Sequence, residues 1–229
     1  MSGWIIYHPK RQASKFDDLI VYHDKIRGNQ DPYVWNEQFL HSFCHITEMS
    51  PEEGDLCFWV SGDHFPKFTK LFCDLVFVIK EKCFWKSVNR IDNNDAIVES
   101  PEAFKDHYHP GSIEHHFVRR KTRFTLKAHP SKSFQPQLAM GQLIDVLPTL
   151  QSVGVSRKLL REGLRKGFGS KPMPLNKAVA DALYLRIHEI AVAKINGLQL
   201  QHLRKRDAKL WSGNLGSKEG RRVKITKCC

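Results

Sequence analysis

Short apolar runs separated by turn residues fill the first half of the chain, and apolar residues at three- and four-residue spacing fill the second. GWIIYHP (3–9) and DDLIVYHD (17–24) are brief apolar runs closed by proline or charge, which predicts strands. GDLCFWVSGDH (54–64) begins on a Gly-Asp turn signal and continues through aromatic and β-branched residues. LFCDLVFVIKEKCFW (71–85) is nearly continuous apart from Asp74, the pattern of a strand buried on both faces. TRFTLKAHP (122–130) alternates basic and apolar residues, as a half-buried strand does, and residues 31–43 and 101–107 fit short helices.

From about Gln137 the period becomes helical. LAMGQLIDVLPTLQ (138–151) mixes three- and four-residue spacing. SRKLLREGLRKGF (156–168) has Ser156 at an N-cap, with Leu159, Leu160 and Leu164 on one side and basic residues opposite. The most regular pattern runs from about Leu175 to Ile195, preceded by Pro172 and Pro174 and stopped by Asn196-Gly197. The fold class is therefore α+β, a β-rich domain over residues 1–136 and a helical region over 137–229 with a mobile tail from near Lys209.

Charge sharpens this division. Residues 1–116 hold 12 Lys/Arg against 18 Asp/Glu, whereas residues 117–229 hold 24 against 6. A basic half beside an acidic one points to a polyanion, because clustered cations release counterions from phosphates. The expected partner is DNA or RNA, with Arg119, Arg120, Lys121, Arg157, Lys158, Arg161 and Arg165 as backbone contacts. No run of about 18 apolar residues exists, so no membrane span is expected. With no basic and apolar leader visible at the start, a cytoplasmic location is the default. Cys44, Cys57, Cys73 and Cys83 lie in apolar runs without C-x-x-C spacing and read as core residues, while Cys228-Cys229 reads as part of the tail.

Three constellations bear on catalysis. DHYHPGSIEHHF (106–117) supplies His107, His109, His115 and His116, which are either a polar turn or, if any metal binds, its ligands. His107-Tyr108-His109 also matches the His-hydrophobic-His motif of Rep and relaxase endonucleases, for which Tyr184, followed by His188, is the downstream tyrosine. His45/Thr47 and His129/Ser131 form two His-x-Thr/Ser tripeptides like those of the 2H phosphoesterases, where paired imidazoles act as acid and base. The acid-x-lysine order of a PD-(D/E)xK nuclease is absent after Asp74. A phosphodiester-cleaving enzyme is thus the rival to a binding protein, with an interaction scaffold third. No cofactor is expected.

Trp4, Trp35, Trp59 and Trp85 all precede residue 86 beside strands or turns. A Trp-led strand ending near proline (GWIIYHPKRQASKFDDL), a Trp-Asn element (YVWNEQF), a Gly-Asp turn before a strand (MSPEEGDLCFWVSGD) and a further core strand (LFCDLVFVIKEK) follow in order. This order resembles the PUA-like superfamily, in particular its EVE, ASCH and YTH-like modules, over about residues 1–135. The resemblance implies a small β-barrel accepting a flipped or modified base in a DNA- or RNA-modification or defence context. It carries Trp35, Asn36, Trp59 and Ser61 over as pocket candidates, and Trp85 joins them as a further aromatic face for a base. In the second half, LPTLQSVGVSRKLLREGLRKG resembles a helix-turn-helix, with Gly154 at the turn and the basic helix after Ser156 presented to a groove.

Overall fold

A computed structural model describes residues 2–8, 10–23, 51–65, 67–84, 124–167, 171–200, 203 and 209–210. In chain order the elements are β1 (Gly3–Tyr7), β2 (Gln12–Phe16), β3 (Leu19–His23), β4 (Leu56–Gly62), β5 (Leu71–Phe84), β6 (Phe124–Ala128), β7 (Phe134–Gln137) and β8 (Ile144–Asp145). Then follow α1 (Leu147–Ser152), α2 (Arg157–Gly163), β9 (Met173–Leu175), α3 (Lys177–Ile190), β10 (Ala193–Asn196), α4 (Gly197–Leu200) and β11 (Lys209–Leu210). The α+β class is as expected.

The main sheet runs β10-β7-β5-β4-β1-β9, with β6 and β8 also pairing with β5. The expected closed barrel is not found: among the described residues this path is open, with β10 and β9 at its two ends. β1 and β4 are parallel, so both point their C-terminal ends to the same side of the sheet. The 136/137 boundary expected from sequence falls inside β7, and β9 and β10 join β1 and β7 in the one sheet.

Alternation along β1 and β4 assigns the two faces. Ile5, Tyr7, Leu56, Phe58 and Val60 join a core built with α1, α2 and α3, while Ile6, Cys57 and Trp59 lie in a second core with Leu75, Phe77, Ile79 and Leu126. α3 docks by Ala180, Leu183 and Ile187, all buried. A Cβ at Gly3 would stand 2.5 Å from the Ala180 Cβ, so glycine lets helix and strand approach this closely. Asn176 caps the helix by accepting the Val179 N–H at 2.9 Å.

β11-β2-β3 form a smaller sheet. It is tied to the large one by side-chain amides: Gln135 accepts the Tyr22 N–H at 2.8 Å and donates to the Tyr22 carbonyl at 2.7 Å, while Gln137 donates to the Ile20 carbonyl. These groups take the place of a pairing strand along β3.

The second half departs from its helical expectation. Residues 138–151 divide into a 3₁₀ turn (Ala139–Gly141), β8 and α1. Pro148 sits in the first turn of α1, where a missing N–H removes no helical bond, and Asp145 accepts the Leu147 N–H at 3.1 Å. α3 ends at Ile190 because Ala191 is extended, and residues 193–196 pair with β7 instead of continuing the helix to Ile195. Leu160 in α2 and Leu164 at its C-cap are buried as expected, but Leu159 is 48% exposed. No helix among the described residues is long and apolar enough to cross a membrane.

Candidate functional site

Two charged regions lie toward the C-terminal ends of β1 and β4, one buried and one open. The buried one depends on a β-bulge. Trp59 pairs with Leu75 but Val60 pairs with Cys73, so Asp74 is an extra residue in β5. Leu71 and Cys73 face the helices before the bulge and Val76 and Val78 after it. A strict alternation would have continued through Leu75. The inserted residue shifts the phase, and Asp74 is aimed at groups that a regular strand would not reach.

Those groups are Arg11 and His8. Arg11 Nη1 donates to Asp74 Oδ1 at 3.0 Å, and His8 Nε2 stands 3.0 Å from Asp74 Oδ2. All three are buried, with Asp74 only 1% exposed. Burial pushes the Asp74 carboxyl up, but the charges of Arg11 and His8 outweigh it and hold the group below the usual carboxylate range. The Arg11 guanidinium also lies 5.2 Å from the Trp59 ring centre, and the His8 ring is 5.5 Å from it. Ser61, two residues beyond Trp59 on the same face of β4, is buried beside this group, and the register of β1 and β4 carried one step on sets it against His8. His8 Nδ1 and Ser61 Oγ are buried with no hydrogen-bond partner among the described residues. Such atoms cost about 1–3 kcal/mol each when left unsatisfied.

The open region is α2 and the β4–β5 loop. Ser156 caps α2, its Oγ accepting the Leu159 N–H at 3.2 Å, and Gly154 turns the chain before it at a φ of +91°. Arg157, Lys158, Arg161 and Arg165 are all exposed, and none has an ion pair or hydrogen bond from its side chain among the described residues. Across from the end of α2, the loop from Asp63 to Lys70 carries His64, Lys67 and Lys70, all exposed. Its one carboxylate is turned inward: Asp63 accepts the Thr69 and Lys70 N–H groups at 2.7 and 2.9 Å and the Thr69 hydroxyl. Burial raises the Asp63 carboxyl, and these hydrogen bonds overcome that and hold it below its ordinary value.

The sequence-derived candidates are distributed as follows. Trp59 and Ser61 come together on one face, and Trp59, 1% exposed, is covered by Arg11 and His8 rather than presented as an open wall. His129 and Ser131 lie in the turn after β6, with Ser131 Oγ 3.2 Å from His129 Nδ1. The modest burial of His129 and the charges of Lys132 and Lys80 lower its affinity for a proton. Tyr184 and His188 stack on one another at 6.0 Å along α3 and meet Phe134 edge-on. The helix-turn-helix candidate is two short helices, α1 of six residues and α2 of seven. Trp35, Asn36, His45, Thr47, Trp85, His107, His109, His115, His116, Arg119, Arg120 and Lys121 lie outside the described residues. Among the described residues no three His, Cys, Asp or Glu side chains are grouped to hold a metal.

His8, Arg11 and Asp74 were not singled out by their sequence context, yet one signal was present. A lone aspartate inside the otherwise apolar stretch 71–79 needs a cationic partner, because an unpaired buried carboxylate is too costly to keep. No protein-family model matches the chain, and no curated protein or solved structure is significantly similar to it.

Proposed function

We propose that the protein binds nucleic acid through the open surface formed by α2 and the β4–β5 loop. The observation that carries this reading is a set of four exposed cations, unpaired among the described residues: Arg157, Lys158 and Arg161 on α2 and Arg165 just beyond it. Glu162 is the one acidic residue of that helix. Like charges at helical spacing repel one another, and a phosphate backbone relieves the repulsion while releasing its own counterions. Lys67 and Lys70 extend the positive surface across the loop.

The test is binding of a labelled DNA strand to the wild type and to an Arg161→Gln/Arg165→Gln variant. Arg161 and Arg165 are exposed, so the fold is expected to survive the change, and binding is expected to weaken about tenfold. Unchanged affinity in a folded variant would remove the assignment from this surface.

A base-reading role for the buried cluster is a second reading, favoured by His8 Nδ1 and Ser61 Oγ. Both are buried polar atoms near Trp59 that have capacity for a ligand and no partner among the described residues. The PUA-like resemblance, which implies an aromatic-walled base pocket at Trp59 and Ser61, supports the same placement. Ser61→Ala is its test: altered preference among bases in otherwise identical strands is expected, and an unchanged preference would remove it.

A further inference from the structure

Among the described residues, the large apolar side chains left exposed are Phe65, Met140, Leu159, Leu185, Val192 and Leu198, and Phe65 is the aromatic one. It stands in the β4–β5 loop and is not loose. Its ring lies 5.3 Å from the Tyr7 ring, tilted by 48°. Its outer edge abuts the backbone just past α2: a Cβ at Gly167 would be 3.2 Å from Phe65 Cζ. Gly167 has a φ of +57°, so both its conformation and its neighbour favour glycine. Phe65 is thus fixed from two sides, with 38% of its surface still open.

Its surroundings are cationic. Lys67 and Lys70 share its loop, and Arg165 and Lys166 immediately precede the Gly167 that it touches. A rigid ring among cations is the arrangement that takes an unpaired nucleotide: the ring stacks on the base while the cations hold the flanking phosphates. A duplex offers no free base face to such a ring, since its bases are stacked on one another. A ring held before binding also loses little freedom when a base arrives.

We infer that the surface is built for single-stranded nucleic acid, with Phe65 as the stacking platform. This rests on the nucleic-acid reading above and narrows its substrate class. Asp63, the acidic neighbour, is turned into its own loop, where the Thr69 and Lys70 N–H groups bind its carboxylate.

Fluorescence anisotropy with labelled oligothymidine and with a duplex of equal length tests the inference on the wild type, Phe65→Leu and Phe65→Trp. Leucine keeps apolar packing against Tyr7 and Gly167 but has no ring face; tryptophan keeps the face. The expected result is single-strand binding about tenfold weaker in Phe65→Leu and retained in Phe65→Trp, with duplex binding unchanged in both. Equal losses on strand and duplex, or no loss on the strand, would overturn the inference. If Arg161→Gln/Arg165→Gln weakens both probes while Phe65→Leu weakens neither, the surface binds backbone alone and only the stacking role falls. A wild type that binds neither probe removes both proposals.

Discussion

Arg11 and Arg161 carry the same guanidinium under opposite conditions. Arg11 is 4% exposed, bonded to a carboxylate that a bulge delivers to it and laid against an indole ring. Arg161 stands in solvent on α2 with no partner among the described residues. A buried charge is held by its counter-charge and makes the fold depend on the pair. An exposed, unpaired one adds little to stability and is available to an outside anion. The difference separates the groups that fix the sheet from the groups offered for binding.

The largest expected effect lies on the buried side. Asp74→Ala leaves Arg11 buried without its carboxylate and is expected to cost about 3–5 kcal/mol in urea unfolding. A loss no larger than that of an exposed pair, about 0–1 kcal/mol, would mean that Arg11 finds other solvation and that the contrast is false.

The same pair sets an acid limit. Because the native Asp74 carboxyl is held below its ordinary value, the unfolded chain binds the proton more readily. Its stabilisation is full above the unfolded carboxylate value of about 3.9 and is lost as pH falls through the native value. Asp63 contributes with the same sign. Stability measured against pH is therefore expected to fall below about pH 4 in the wild type and to fall less steeply in Asp74→Asn. Parallel curves would assign the acid limit to other groups.

Smaller effects follow from packing and capping. Gly3→Ala forces α3 away from β1 and is expected to lower stability by about 1–3 kcal/mol, read from the same unfolding curves. Ser156→Ala removes the α2 cap and is expected to cost about 1 kcal/mol. A much larger loss there would show that the binding surface also carries the fold.

The apolar runs of β1, β3, β4 and β5 and the cap at Ser156 could be read from the sequence because each depends on neighbouring residues. The bulge at Asp74 could not, since a strand apolar on both faces conceals a one-residue change of phase. β7 was missed because FQPQ contains a proline and two glutamines, and those glutamines are buried as substitutes for a strand on β3. Residues 193–196 continue the run that reads as helical in the sequence, and only the pairing with β7 makes them a strand. Basic residues on α2 were legible as a charged face. Phe65 was not, because a phenylalanine in a loop reads as core until Tyr7 and Gly167 are seen to hold it half open.

The salt dependence of single-strand binding tests the central claim most directly. Affinity is to be measured over a range of salt for the wild type and for a variant with Arg157, Lys158, Arg161 and Arg165 all changed to Gln. Each phosphate contact contributes about 0.7 to the slope of log affinity against log salt for a single strand. The account predicts a steep wild-type slope and a variant shallower by up to about 3. Equal slopes in two folded proteins would contradict it.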